Sequence, residues 1–253
     1  MGKDIDSKRW STGRVRELHP WTDKLFSIRI DADTDPFTAG QFTKLGLVIG
    51  DEFISRPYSY VNAPGEEPLE FYFVTVPDGP LTGAMLELRP GDSIYVMRKA
   101  AGFLTLNEVP AAEQLWMLSS GTAIGPFLSM LKTREPWQTY QSIVLVHAVR
   151  LAGELSFQDT IAALGEQHPG QFSFIPFVSR EDTDFAIRAR IPAAIEDGRL
   201  EQRAGLEISP QRSQVMICGN PDMVKSTQAV LETRGLTRNR RRTPGHITVE
   251  NYW

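Results

Sequence analysis

The spacing of apolar residues changes near residue 113, and that change limits the fold more than any single motif. Before it, KLFSIRI (24–30), GQFTKLGLVI (40–49), RPYSYV (56–61), LEFYFVTV (69–76) and DSIYVM (92–97) are rich in β-branched and aromatic residues. Turn signals such as ELRPGD (87–92) separate them. Six or so short strands in about 105 residues predict a small six-stranded antiparallel β-barrel. After it, the apolar runs LWMLSS (115–120), SIVLVHA (142–148), FSFIPFV (172–178) and QVMIC (214–218) alternate with helical patterns. Those patterns are IGPFLSMLKT (124–133), SFQDTIAALGEQ (156–167) and PDMVKSTQAVLETRG (221–235), the last opened by Pro and closed by Gly. Apolar runs with no polar face predict parallel strands covered by helices on both sides, an α/β domain. The linker falls in NEVPAAEQ (107–114), giving a barrel over residues 1–108 and an α/β domain over 113–253. Ligands of such a pair are expected between the halves and at the carboxyl ends of the parallel strands.

Composition narrows the chemistry. One cysteine, Cys218, cannot form an internal disulfide, a zinc site or an iron–sulfur cluster, and His19, His147, His168 and His246 lack metal-ligand spacing. No metal is expected. No apolar run approaches the roughly 18 residues of a membrane span, and the start MGKDIDSKRW lacks the apolar stretch of a signal peptide. A cytoplasmic, monomeric protein away from membranes is the expectation. The net charge of −4 is unevenly spread: residues 1–110 carry 12 basic and 16 acidic side chains, residues 111–253 carry 15 of each. RGLTRNRRR (234–242) gathers five arginines without an acid. That is too local for a nucleic-acid binder, but it suits the steering of an acidic protein partner; a solvated helix end and loop is the other reading.

Three stretches carry candidate chemistry. GTAIGPF (121–127) follows a strand, and glycine there allows either close approach to a phosphate or simply a tight turn. Its Gly121–Gly125 spacing is not the usual dinucleotide fingerprint. SRPYS (55–59) offers the Arg56 fork, the Tyr58 ring and the Ser59 hydroxyl; an edge strand with an exposed Arg and a core Tyr is the alternative. HITVENYW (246–253) ends on two large aromatics, which expose apolar area unless something covers them.

RPYS, VPDGPLT (76–82), GTAIGP, CGNP (218–221) and the closing Glu–x–Tyr–Trp stand in an order that resembles the ferredoxin–NADP⁺ reductase family, particularly its short bacterial ferredoxin/flavodoxin type. The resemblance covers all but about the first ten residues. It implies an oxidoreductase holding FAD on the barrel and NADP(H) on the α/β domain, with ferredoxin or flavodoxin as partner. Arg56 would then grip a flavin phosphate, Tyr58 lie on the ring system, and Ser59 reach its reactive N5. Tyr72 would line the site, and Pro80, Leu81 and Thr82 would face the pyrophosphate. Pro57 stands within the same motif without a backbone N–H, and Thr122 is assigned to both ligands. Tyr252 would stack near the isoalloxazine, gating nicotinamide, and Trp253 near the adenine.

For the nucleotide, the resemblance points to Gly121, Thr122, Val149, Arg150, Ser179, Arg180, Arg190, Cys218, Gly219 and Asn220. Arginines just past strand ends suit a 2′-phosphate, where NAD sites place an acid. Arg190 rather than Arg188 is chosen by matching RIP within FAIRARIP, and Glu181 and Asp182 stand close enough in sequence to neutralise Arg180. The expected catalytic set is Ser59, Cys218, Glu250 and Tyr252, with Glu250 orienting nicotinamide, relaying protons or serving only as a surface acid. Arg238, Arg240, Arg241 and Arg242 are the docking candidates. Two other classes share these motifs: a reductase component serving an oxygenase or free flavin, and a flavin-binding electron-transfer subunit that never meets NADPH.

Overall fold

A computed structural model describes residues 5–252. The first half contains β1 (Trp10–Pro20), β2 (Leu25–Asp31), β3 (Phe42–Ile49), β4 (Glu52–Ser59), β5 (Leu69–Val74), α1 (Pro80–Leu86) and β6 (Ser93–Met97). Its strands form one antiparallel sheet in the order β4-β3-β6-β1-β2-β5. The sheet curls until its two edges approach, where Tyr60 bridges Phe71 and the Val61 N–H donates to the Glu70 carbonyl at 3.0 Å. Ile28, Ile30, Leu45, Phe71, Ile94 and Val96 fill the interior.

β1 was not among the segments that the apolar pattern picks out, and its inward positions explain why. They alternate as a strand requires, but Ser11 and Gly13 occupy two of them, and only Val15 is apolar. A Cβ on Gly13 would stand 2.7 Å from Ile30, so the small residue is what lets β1 lie against β2. β4 starts four residues before the expected RPYSYV and stops at Ser59. Tyr60 and Val61 leave β4's pairing with β3 to close the curl.

The second half comprises β7 (Gln114–Ser120), α2 (Ile124–Leu131), α3 (Glu135–Thr139), β8 (Ser142–Val149), α4 (Gln158–Gln167), β9 (Phe172–Val178), α5 (Ile191–Glu196), α6 (Arg199–Ala204), β10 (Ser213–Gly219), α7 (Pro221–Thr233) and β11 (Ile247–Asn251). The five strands are parallel, in the order β11-β10-β7-β8-β9. Successive residues of β7 serve opposite faces. Leu115 and Met117 pack with Phe127 and Leu128 of α2, while Trp116 and Leu118 pack with Ile191, Ile195 and Leu231 beneath α5 and α7. Burial on both faces is why the strand reads as an unbroken apolar run.

The core on the α2 face continues into the first sheet through Leu25, Val61 and Tyr72. The Tyr72 hydroxyl lies 2.7 Å from the Ser156 hydroxyl, and Phe157 packs against the rings of Tyr72 and Trp21. The Ser129 hydroxyl adds a 2.8 Å bond to the Asn62 carbonyl. An apolar layer and several polar links, among them Asn239 Nδ2 donating to the Glu108 carbonyl at 2.6 Å, therefore fix one half against the other.

Candidate active site

A cavity of about 480 Å³ opens where the first sheet faces the end of β11. β4 supplies Arg56, Pro57, Tyr58 and Ser59 to its wall, and β5 supplies Tyr72, Phe73 and Val74. The turn before α1 and its first residues supply Val76, Gly79, Pro80, Leu81 and Thr82, and Thr122, Glu250, Asn251 and Tyr252 come from the other half. Every residue expected on the flavin side and lying within the described chain is on this wall; Trp253 lies outside the described residues. Phe42, Phe73 and Val74 are additions for which no motif gave a signal, and Val76, Gly79 and Asn251 fall within quoted motifs without having been singled out.

Arg56 is exposed, its guanidinium bonded only to the neighbouring Ser55 carbonyl at 2.8 Å. No carboxylate pairs with it among the described residues. Burial pushes the Tyr58 phenol up to about 12, with Arg56 opposing the rise, so Tyr58 stays neutral and serves as an aromatic face. VPDGPLT runs from a turn into the first residues of α1, and Pro80, Leu81 and Thr82 lie on the cavity wall. Pro80 begins α1, where a missing N–H costs nothing. The Thr82 hydroxyl is also occupied, accepting from Val76 N–H at 3.2 Å and donating to the Gly79 carbonyl at 3.3 Å. It shapes the turn that borders the cavity.

Within HITVENYW, Ile247–Asn251 form β11, an edge strand. β11 pairs with β10 from Val215–Ile247 to Gly219–Asn251, and Tyr252 N–H continues the pattern by donating to the Gly219 carbonyl at 2.9 Å. That pairing carries Glu250 and Tyr252 to the cavity. Burial raises the Glu250 carboxyl to about 7, so it exchanges its proton around neutrality. Burial also raises the Tyr252 phenol, with Cys218 and Glu250 adding to the effect and a hydrogen bond to Ser59 opposing it. Cys218 sits opposite Glu250 in the strand register, wholly buried and behind the cavity wall. Burial, then the Glu250 charge, raise its thiol well above the ordinary value, which makes it an inert thiol and a poor nucleophile.

The nucleotide-side residues gather at the carboxyl ends of the parallel strands: Gly121 and Thr122 after β7, Val149 and Arg150 at β8, Ser179 and Arg180 at β9, and Cys218, Gly219 and Asn220 at β10. Ser179 N–H donates to the Val149 carbonyl at 3.1 Å and Arg180 N–H to the Arg150 carbonyl at 2.9 Å, so the two arginines lie on adjacent segments. Phe177 bridges Ile187, which runs the segment before α5 alongside β9 and puts Arg190 at the start of that helix. Asp182 pairs with Arg188 at 2.5 Å, and the Glu181 carboxylate accepts from Ala152 N–H at 2.8 Å. Neither neutralises Arg180, and Arg190 rather than Arg188 is without a carboxylate partner among the described residues. Arg150 is held at 3.3 Å by Glu154. Gly219 has φ +145, and a Cβ there would stand 2.1 Å from the Ser120 hydroxyl. The Asn220 side chain caps α7, accepting from Asp222 N–H at 3.0 Å.

In the arginine run, Arg234 is tied to Glu201 at 2.6 Å. Arg241 pairs with Glu108 at 2.7 Å and lies 4.0 Å over the ring of Phe103, which is 62% exposed. No group of metal-binding side chains occurs among the described residues, nor is any helix long and apolar enough to cross a membrane.

Comparison with known proteins agrees with this arrangement. Residues 117–229 match the family model described as an oxidoreductase NAD-binding domain. The chain is 49% identical over 245 residues to the flavodoxin/ferredoxin–NADP reductase of Escherichia coli K12, covering 96% of this chain and 99% of that one. It is 35% identical to the ferredoxin–NADP reductase of Pseudomonas aeruginosa, over 94% and 96%. Among solved structures, the ferredoxin NADP⁺ reductase of Neisseria gonorrhoeae with bound FAD and NADP superposes with a TM-score of 0.92 at 34% identity, over 97% of this chain and 99% of that one. With its six-stranded antiparallel sheet, its parallel α/β half and near-complete relatives at this identity, the chain belongs to the flavodoxin/ferredoxin–NADP reductase family.

Proposed function

We infer that this protein is an FAD-dependent reductase that moves electrons between NADP(H) and a small one-electron carrier, ferredoxin or flavodoxin. The observation that carries the reading is the meeting of two sets of residues. A cavity walled by Tyr58, Tyr72 and Tyr252, with Arg56 at its edge, shares Thr122 with the parallel-strand ends, which bear Arg150 and Arg180, with Arg190 at the start of α5. A planar aromatic group with phosphates fits the first set: three rings to pack on it and one guanidinium without a carboxylate partner. We assign FAD to residues 1–108 and NADP(H) to residues 113–253, with β11 returning Glu250 and Tyr252 to the flavin side.

FAD, when bound there, supplies the exchange between a two-electron hydride donor and one-electron acceptors. The chain's own part is orientation. Arg56 binds phosphate, Tyr58 offers its face, and the Ser59 hydroxyl points to the place where hydride is exchanged. Tyr252 covers that place, so nicotinamide reaches it only by displacing the phenol. Glu250 holds or releases a proton at its carboxyl near neutral pH. Cys218 shapes the wall behind the nicotinamide from within the core. Arg150, Arg180 and Arg190 bind the 2′-phosphate, and Gly121, Thr122, Val149, Ser179, Gly219 and Asn220 shape the remainder of the nucleotide cleft.

We place docking of the acidic carrier on Arg238, Arg240, Arg241 and Arg242, beside exposed Phe103. Arg241 contributes less charge than its neighbours because Glu108 already pairs with it. The test compares NADPH-driven reduction of flavodoxin or ferredoxin with that of ferricyanide. Replacing Arg240 and Arg242 by Ala slows the protein acceptor and flattens its salt dependence, leaving the small dye unaffected. Equal loss with both acceptors contradicts the docking assignment, and failure to reduce either carrier in the unaltered protein contradicts the function.

A further inference from the structure

Beneath the Gly121 turn lies a buried titratable side chain with no part in the flavin-side wall. His147, in β8 next to the central strand β7, is wholly buried, with Nε2 3.0 Å from the Gly121 carbonyl oxygen and Nδ1 without a hydrogen-bond partner among the described residues. A carbonyl oxygen only accepts, so the nitrogen facing it carries the proton and Nδ1 is a bare acceptor. Burial pushes the ring's pKa down to about 4, which keeps it neutral and keeps that tautomer. An orphaned acceptor in the core weakens the fold, and a phenylalanine in this place would not incur that penalty. Among the described residues the imidazole makes one polar contact, with Gly121.

We infer that His147 is a positioning residue for NADP(H), its Nε2–H holding the Gly121 carbonyl down into the sheet so that the Thr122 N–H faces the cleft. The inference rests on the assignment of residues 121–122 to the nucleotide. Gly121 has φ +57, and nothing stands within 4 Å of where its Cβ would be, so the turn is open on its outer side. Its peptide is restrained from below. In a trans peptide the carbonyl and the following N–H point in opposite directions, so fixing the oxygen aims the Thr122 N–H. Thr122 itself lines the cavity. A second bond of the same kind joins the neighbouring strand ends: the Ser120 hydroxyl accepts from Asn220 N–H at 3.1 Å. His147–Gly121 and Ser120–Asn220 thus tie the ends of β8, β7 and β10 into one platform under the nucleotide, and neither His147 nor Ser120 touches the ligand through its own side chain in this account.

The side-chain amide of Gln reaches the position of imidazole Nε2, whereas that of Asn reaches only Nδ1, so the two amides separate the bond from the bulk. FAD-loaded His147→Asn and His147→Gln are titrated by calorimetry with NADP⁺ and with 2′-AMP, which carries the 2′-phosphate but no pyrophosphate. One lost hydrogen bond predicts that His147→Asn weakens NADP⁺ roughly three- to tenfold while 2′-AMP changes less than about twofold. His147→Gln recovers NADP⁺ binding to within about twofold of the unaltered protein. Equal behaviour of Asn and Gln overturns the inference, as does parallel weakening of both ligands. Arg180→Ala in the same titrations weakens both ligands if the nucleotide assignment is right. If it weakens neither, that assignment has failed; if it weakens both while His147→Asn weakens neither, only the role of His147 has failed.

Discussion

Around the cavity, Tyr58, Tyr72 and Tyr252 line a wall that is largely apolar, to which Arg56 brings a permanent charge without a carboxylate partner among the described residues and Glu250 a carboxyl that titrates near 7. At the ends of β8 and β9, by contrast, Arg150 and Arg180 stand in solvent on loops, and Arg190 begins a helix beside them. The difference matches two kinds of ligand. A group wrapped in rings loses many packing contacts before it leaves, and so stays resident. A group held by a few exposed charge-assisted bonds binds selectively but exchanges quickly, as a substrate must. The Tyr72–Ser156 bond and the Phe157 wedge join the two halves of the molecule.

The strongest way to break this contrast is Arg56→Ala. A lost phosphate contact predicts roughly 10–100-fold weaker FAD binding, seen as a fallen ratio of absorbance at the flavin band to that of the protein after gel filtration. Affinity for 2′-AMP stays as it was; a variant that keeps its flavin would refute the assignment. Next in size, Arg180→Ala raises the KM for NADPH roughly tenfold while kcat/KM with NADH is unchanged, so the preference between the two falls by the same factor. Arg150→Ala has a smaller effect in the same direction, because Glu154 already shares its charge.

Glu250 sharpens the comparison through pH. Its folded pKa of about 7 exceeds the ordinary 4.5, so the folded protein holds a proton that the unfolded chain releases. Stability therefore declines as pH rises from about 4.5 to about 7 and is penalised in full above that range. Glu250→Gln raises Tm above pH 7 and leaves it unchanged near pH 4, and it flattens the inflection near pH 7 in the rate of flavin reduction by NADPH. A variant whose Tm and rate track the unaltered protein at every pH would show that the carboxyl is not buried as described. The smallest effect belongs to Tyr72→Phe. Losing one buried hydrogen bond costs about 1 kcal/mol, read as a lowered denaturant midpoint at unchanged slope.

The sequence made some of this legible because certain signals are strong. The apolar runs at β7, β8, β9 and β10 could only be strands covered on both faces, and Pro221 and Gly235 bracket α7 almost to the residue. Other elements carry no apolar signal of their own. β1 hides behind Ser11 and Gly13, small residues that allow close approach, and α1 opens on Pro80, which also reads as a loop. The chain's last stretch was legible as two aromatics needing cover, but the pairing of β11 with β10 depends on partners 32 residues away, from Val215–Ile247 to Gly219–Asn251. Thr82, Asp182 and Glu181 show why site chemistry is harder still: what each side chain does depends on a hydrogen bond formed only in the folded chain. His147 and Ser120 escaped notice for the same reason, since a buried histidine in a strand and a serine at its end look ordinary until their partners are known.

The central claim is that an aromatic cavity holding FAD and a cluster of arginines selecting NADPH act on the same hydride. The visible spectrum of the purified protein, followed anaerobically after adding NADPH or NADH, tests it directly. The account predicts flavin absorption that bleaches much faster with NADPH than with NADH, and an advantage that collapses in Arg180→Ala. A protein that carries no flavin and takes up none, or one bleached equally fast by both nucleotides, would contradict it.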